Sequence, residues 1–178
     1  MNTIKDYRGV TLIEMLVTLL ILSIGLLGVA ALQSRGQQFN FASYVRTQST
    51  MLGNEMMEQI LANVAFAKND VLLNGTAVGN GYVVNSSNIP TINVDYCDDN
   101  TCTNTELRDY DLFRWYQQLA ANLPSGTGEI SAERTPEPPL GDTQDQVRYT
   151  ISITWTLRES EREDDSVETK TITWVIQI

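Results

Sequence analysis

The stretch RGVTLIEMLVTLLILSIGLLGVAAL, residues 8–32, decides the fold class of this chain. Between Val10 and Leu32 it contains one charged residue, Glu14. A helix of this length is about 35 Å long, slightly more than the hydrocarbon thickness of a bilayer. A carboxylate costs about 2.5–3.5 kcal/mol at mid-membrane and somewhat less near the interface. Glu14 is therefore a functional candidate that needs a partner.

Three interpretations of this segment compete. A cleaved secretory signal fits poorly, because the apolar run is long and no small-residue cleavage site closes it. A plain membrane anchor fits the length, with Lys5 and Arg8 kept in the cytoplasm, but it leaves Glu14 unexplained. A cut after Gly9 would supply the missing partner, because the new amino group of Val10 is a cation four residues before Glu14.

The overall composition narrows the possible functions. The chain has 178 residues, 42% of them apolar, and a net charge of -10. The acidic balance argues against a nucleic-acid surface, which needs clustered Lys and Arg. There is no histidine, no G-x-S-x-G nucleophile elbow and no glycine-rich phosphate loop after a strand. The sequence therefore predicts no catalytic residue, no metal site and no cofactor.

The helical pattern continues beyond the apolar segment. Val45, Ser49, Leu52, Met56 and Ile60 recur at helical spacing and form a one-sided stripe. This pattern divides the chain into a membrane half of the helix at 10–32, an amphipathic half at 33–66 and a globular head at 67–178. Gly25, Gly28 and Gly36 punctuate the helix, either as tolerated small residues or as places where it bends or melts.

The head combines short strands with one helix. Turn signals surround the strand candidates Tyr82–Val84 and Ile89–Tyr96, and Thr103-x-x-Glu106 opens a helix with a capping-box pattern. The apolar face of that helix contains Leu112, Trp115, Tyr116, Leu119 and Leu123. Strict alternation at 149–157 and 172–178 predicts an antiparallel hairpin that covers the amphipathic half of the long helix. The fold class is therefore α+β, a long helix packed on a small antiparallel sheet.

The residues around the predicted cut resemble a known signal. Lys5 to Gly9 followed by Val10-Thr-Leu-Ile-Glu14 resembles the class III signal of type IV prepilins and type II secretion pseudopilins. The resemblance implies a leader of residues 1–9, cleavage between Gly9 and Val10 by a prepilin peptidase, N-methylation of Val10 and subunit docking through Glu14. Members of the family most often have Phe after the cut, where this chain has Val10.

The downstream pattern resembles the minor pilins called PilV. It runs from Cys97 and Cys102 through Leu112, Trp115 and Leu123-Pro-Ser-Gly-Thr-Gly128 to the strand that ends near Trp155. The resemblance implies a role with other minor pilins and the major pilin in a complex that primes assembly near the fibre tip, often with a large tip adhesin. It implies an inner-membrane protein with a cytoplasmic N-terminus and a periplasmic head before assembly. The alternative is a minor pseudopilin of a type II secretion system, and the neighbouring genes would separate the two.

The two cysteines lie five positions apart. Without histidine they cannot form a zinc site alone, and an exported chain enters an oxidising compartment, so a Cys97–Cys102 disulfide is predicted. Asp95, Asp98, Asp99 and Asn100 surround the pair either as a solvated acidic turn or, as the weaker alternative, as calcium ligands.

Overall fold

The structure is a computed structural model that describes residues 11–74, 77, 79–91, 97, 101–135, 146–158 and 167–178. The chain divides into two compact units, residues 1–43 and 44–178. The second unit, called the head below, contains the core. Residues 98–100, 136–145 and 159–166 lie outside the described residues.

One long helix accounts for the first part of the described chain. Helix α1 runs over Leu12–Ala62 and helix α2 over Val64–Asn74, with a break at Asn63. The backbone bonds continue through this break, since the Asn63 N–H donates to Gln59 at 3.2 Å and the Asn63 carbonyl accepts from Ala67 at 3.0 Å. Helical structure therefore extends past residue 66, and Ala67 and Val71 of α2 enter the head core.

The stripe predicted on the outer part of α1 is confirmed. Its five residues are buried, together with the neighbouring Gly53: Val45, Ser49, Leu52, Met56 and Ile60. The Ser49 hydroxyl donates to the Arg46 carbonyl at 2.9 Å, so this polar residue carries its own hydrogen bond into the core. The burial of one face only explains why polar residues occupy the other face of the helix.

Helix α3, Asn104–Asn122, begins with the predicted capping box. The Thr103 side chain accepts from the Glu106 N–H, and the Glu106 carboxylate accepts from the Thr103 N–H at 2.8 Å. The apolar face is buried as predicted, with Leu112, Trp115, Tyr116, Leu119 and Leu123 in the core. The Trp115 indole donates to the Leu52 carbonyl at 3.1 Å, which ties α3 to α1 inside the head.

The sheet has three antiparallel strands in the order β1-β2-β3, with β1 at Thr127–Thr135, β2 at Gln146–Arg158 and β3 at Val167–Gln177. The β2–β3 hairpin is confirmed, and Tyr149, Ile151, Ile153 and Trp155 bury one face of β2. β1 was not predicted. Its buried positions are Gly128, Ile130 and Ala132, and two of these are too small to mark a strand by hydrophobicity.

The prediction of a strand at Tyr82–Val84 is wrong. Only Val84 pairs, in an isolated bridge with Ile130 of β1. Turns at Gly79–Tyr82 and after Asn85 leave too few residues for a longer ladder. Of the other candidate, Ile89–Thr91 forms no strand, and 92–96 lie outside the described residues.

The turn before Val84 is fixed by contacts to its glycines. Gly79 and Gly81 have positive φ angles of 95° and 53°, which glycine adopts without strain. Arg108 donates to their carbonyls at 2.8 and 3.2 Å, and the Gly81 N–H donates to Asp70. A Cβ on Gly81 would lie 2.2 Å from the Tyr149 hydroxyl. The turn therefore requires glycine for both its conformation and its packing.

Gly53 provides a test of how α1 packs within the head. A Cβ at this position would lie 2.6 Å from ring atoms of Trp174 on β3. We expect Gly53→Ala to destabilise the head by about 1–2 kcal/mol, because overpacking outweighs the gain in helix propensity. Thermal unfolding followed by circular dichroism measures the change.

Gly36→Ala is the matched control, because its Cβ would meet nothing within 4 Å. We expect Trp174→Leu to recover part of the loss when combined with Gly53→Ala. A Gly53→Ala protein as stable as the wild type would show that α1 does not approach β3 this closely.

Candidate functional site

The candidate site is the first part of α1, whose side chains are all exposed. Every described side chain from Thr11 to Phe41 lies on the surface. Leu12, Ile13, Leu27 and Leu32 are each at least 70% exposed. The helix is long and apolar enough to cross a membrane, and none of its most apolar window is buried. These side chains therefore need a surrounding medium other than water, either lipid or neighbouring subunits.

The hydroxyl groups within this apolar part are satisfied by the helix itself. Thr18 Oγ1 donates to the Met15 carbonyl at 2.9 Å, and Ser23 Oγ donates to the Leu19 carbonyl at 2.7 Å. Such bonds remove the cost of placing a hydroxyl in an apolar medium. Glu14 is left as the one charged side chain in the sequence from Val10 to Ser34.

Glu14 lies in the first turn of α1. The Thr11 carbonyl accepts from the Glu14 N–H at 3.1 Å and from the Met15 N–H at 3.3 Å, so the helical bonding begins at Thr11. A carboxylate in the first turn is favoured by the helix dipole, by about 0.3–1 kcal/mol at an exposed site. That gain is smaller than the cost of a carboxylate at mid-membrane, so the helix dipole alone does not explain Glu14.

Gly9 and Val10 lie outside the described residues, so their placement relative to Glu14 remains a prediction. Gly25, Gly28 and Gly36 lie within unbroken α-helix. Each would have open space around an added Cβ. The helix is therefore not interrupted at these glycines.

Comparison with known proteins addresses the same segment. A family model described as the prokaryotic N-terminal methylation motif matches residues 4–30. No curated protein and no solved structure matched the chain. This match supports a prepilin of the type IV pilin superfamily. The match spans the predicted cut site, Glu14 and the exposed apolar helix as far as Ala30.

The class of the signal has direct consequences for this prepilin. A class III signal implies processing by a prepilin peptidase and pilus-type assembly. Together with the apolar helix it fits an inner-membrane anchored pilin. Prepilins of this kind are structural proteins rather than enzymes.

The head of the prepilin contains a buried polar cluster of Asn63, Tyr82 and Asp111. The Tyr82 hydroxyl donates to Asp111 Oδ2 at 2.8 Å, and Asn63 Nδ2 donates to the Tyr82 hydroxyl at 3.3 Å. Asn63 Nδ2 also lies 3.0 Å from the Asn104 carbonyl, so it links the α1–α2 break to the start of α3. All three side chains are less than 10% exposed.

Burial dominates the protonation behaviour of this cluster. It raises the pKa of Asp111 to about 6, although the Tyr82 hydrogen bond and the charge of Arg114 both lower it. Burial, followed by the charge of Asp111, raises the pKa of Tyr82. The cluster connects the α1–α2 break, the loop at Tyr82 and helix α3 through hydrogen bonds. Its chemistry is that of a structural anchor.

Sequence reasoning missed this cluster, although a signal was present. Asp111 lies four residues before Trp115 and directly before Leu112, so it belongs to the apolar face of α3. A carboxylate on a core-facing position predicts a buried hydrogen-bond partner.

Among the described residues, no group of His, Cys, Asp or Glu could hold a metal ion. The acidic residues around Cys97 that could ligate calcium lie outside that set.

The two cysteines are bonded in the structure. Cys97 and Cys102 have their sulfur atoms 2.05 Å apart and their Cα atoms 5.7 Å apart. The bond closes a small loop directly before the Thr103 cap of α3. In the oxidised protein it would hold the chain that leads into that helix. The intact mass with and without reductant measures the oxidation state.

Replacing Asp111 tests the buried cluster. A folded-state pKa raised to about 6 means that stability is greatest where Asp111 is protonated and falls as pH rises through 6. Asn keeps an acceptor for Tyr82 and does not titrate. We expect the stability of Asp111→Asn relative to wild type to increase by about 2 kcal/mol from pH 4 to pH 7.5. Urea unfolding at the two pH values measures this difference.

Asp109→Asn is the matched control, because Asp109 is an aspartate on the same helix and is not buried. The same pH-independent difference for both variants would contradict a raised pKa at Asp111.

Proposed function

We propose that the protein is a minor pilin of a type IV pilus. Together with other minor pilins, it forms a complex near the fibre tip that primes assembly with the major pilin. The observation that carries this proposal is the fully exposed apolar half of α1 behind a class III signal, with Glu14 as its single charge. A surface of this kind is suited to a membrane before assembly and to other apolar helices afterwards.

The proposed maturation creates the missing cation. Cleavage between Gly9 and Val10 leaves a free amino group on Val10, which the same peptidase N-methylates. Val10 lies four positions before Glu14 in the sequence. Four positions are about one turn of a continuous α-helix. The amine, either of the same chain or of a neighbouring subunit, pairs with the Glu14 carboxylate. Since either charge alone is costly in an apolar bundle, the pair fixes the register of docking.

The PilV-like pattern in the head supports the minor-pilin assignment. Its apolar positions Leu112, Trp115 and Leu119 lie in the core, and the glycine segment that ends at Gly128 lies against Trp115. We propose a cytoplasmic N-terminus with a periplasmic head before assembly, and a position near the pilus tip afterwards. In that position the protein would support adhesion or twitching motility, together with a large tip adhesin.

Substitution of Gly9 tests the cleavage site. We expect Gly9→Val to leave the precursor uncut, because a branched side chain fills the space that glycine leaves at the scissile bond. Immunoblotting would then show the precursor band alone, and the intact mass would retain residues 1–9. Tyr7→Phe is the matched control in the same leader, with normal processing expected. Normal processing of Gly9→Val would rule out this cut site.

Substitution of Glu14 tests the docking role. We expect Glu14→Ala and Glu14→Gln to insert into the membrane normally but to lower recovery in sheared pilus fractions about tenfold or more. Loss of one partner of a buried charge pair costs about 3–5 kcal/mol. Glu14→Asp should retain part of the function.

Ser23→Ala is the matched control, because the Ser23 hydroxyl bonds only within its own helix. If all Glu14 variants co-purify with other pilins and support normal piliation, Glu14 has no docking role.

The same N-terminal chemistry would serve a minor pseudopilin of a type II secretion system. Deletion of the gene separates the two functions. Loss of surface fibres with secretion intact supports the pilus role, whereas loss of secretion with fibres intact supports the pseudopilin role.

A further inference from the structure

The two edges of the head sheet differ in how they are protected. On the β1 edge, Val84 and Ile130 exchange backbone hydrogen bonds of 3.0 and 2.9 Å. The Gly128 carbonyl on the same edge accepts from the buried Tyr116 hydroxyl. The exposed backbone of β1 is thus covered at two successive outward positions. Within the described residues, no strand pairs with the outer edge of β3.

The register shows which backbone groups form the β3 edge. Val147 and Ile178 exchange both backbone bonds, each at 2.9 Å, so they are a hydrogen-bonded pair of the β2–β3 ladder. Because such pairs alternate in an antiparallel ladder, Ile176, Trp174 and Ile172 also bond to β2. The N–H and C=O groups of the residues between them point away from β2. These outward residues, called the β3 edge, are Thr169, Thr171, Thr173, Val175 and Gln177.

The β3 edge lacks the features that normally prevent strand addition. Natural edge strands are shortened, bulged or protected by proline or charge. Residues 171–177, TITWVIQ, contain no charge, proline or glycine and are rich in β-branched and aromatic side chains. Lys170, at the start of this stretch, is paired with Glu168. The Thr154 and Thr171 hydroxyls lie 3.0 Å apart across the β2–β3 ladder. This cross-strand contact keeps the outer face of the sheet regular.

The inner side chains beside this edge are only partly covered. Ile172, Trp174 and Ile176 pack against the core but remain partly exposed. An additional strand would place alternate side chains next to them on the same face of the sheet. Among the described residues, the backbone groups of the β3 edge have no strand partner. An extended polypeptide would cover both these groups and the partly exposed apolar side chains.

We propose that the β3 edge binds an extended segment of a different protein, which adds a fourth strand to the head sheet. The segment is uncharged or basic, and it carries apolar side chains at every second position. This interaction goes beyond the assembly role proposed for α1 and does not depend on it.

Charge favours a different protein over a second copy of this chain. The β3 edge itself has no net charge, whereas the whole chain has a net charge of -10. Bringing two identical heads edge to edge would bring two such charges together, which opposes association. A neutral or basic segment of another protein meets no such repulsion. A basic segment is in addition attracted to the acidic protein over a screening distance of about 8–10 Å.

A synthetic peptide tests the proposal on the full-length protein in detergent micelles. The peptide alternates threonine and isoleucine, ends in a lysine at each terminus and carries a fluorophore for anisotropy. A second peptide has the same sequence with every second amide N-methylated, which removes the hydrogen bonds along one of its edges. We expect saturable binding of the first peptide. The second peptide should bind at least about tenfold more weakly.

Two variants locate the binding on β3. Thr173→Pro removes an outward N–H and leaves the bonds to β2 intact, so we expect about tenfold weaker binding. Thr173→Val keeps that N–H and should bind like the wild type. In ¹⁵N-labelled protein, the amide signals of Thr171, Thr173 and Val175 should shift on binding. If Thr173→Pro does not fold, the comparison of the two peptides on wild-type protein decides.

Three results would overturn the proposal. The first is no binding of the unmethylated peptide, and the second is equal binding of the two peptides. The third is concentration-dependent self-association of the protein without peptide that Thr173→Pro abolishes. That result would assign the β3 edge to a second copy of the chain instead.

Discussion

The structure depends on one constraint: a single helix must suit two different surroundings. From Thr11 to Phe41, α1 exposes every side chain, and most of these are apolar. From Val45 to Ile60, the same helix buries one stripe within the head and exposes polar residues on its other side. Each half alone would be an ordinary structure, a membrane helix or an amphipathic one. Both halves belong to the same helix, α1.

The sequence revealed those elements whose side chains alternate strongly in size and polarity. The stripe on α1 and the β2–β3 hairpin belong to this group, because burial of one face leaves a periodic pattern. The capping box at Thr103 was visible for another reason, since its two partners are only three residues apart. β1 does not show such a pattern, because its buried residues Gly128 and Ala132 have small side chains or none. Gly128 is small because the Trp115 ring occupies the space of a Cβ. Close packing between elements can thus erase the hydrophobic pattern that would reveal a strand.

The candidate site divides in the same way. Glu14 could be identified from the sequence because placing a charged side chain in an apolar segment costs free energy, and such a residue therefore indicates a function. Asp111 has the same kind of cost, but its partner Tyr82 is 29 residues away, so sequence spacing could not reveal the pair. Both carboxylates break an apolar surface. One finds its partner within the folded head, and the other has none among the described residues that could neutralise it.

Membrane and sheet surfaces differ in what they contribute to assembly. Apolar helices gain little from leaving lipid for one another, because lipid tails are as apolar as leucine. In the docking role that we propose for the exposed half of α1, selection among partners would therefore come from Glu14 and from close packing. The β3 edge lies in the head, where unpaired N–H and C=O groups bind a strand in one register and exclude other shapes. If both proposals hold, the apolar half of α1 sets the axial position of a subunit, and the β3 edge selects which protein joins the head.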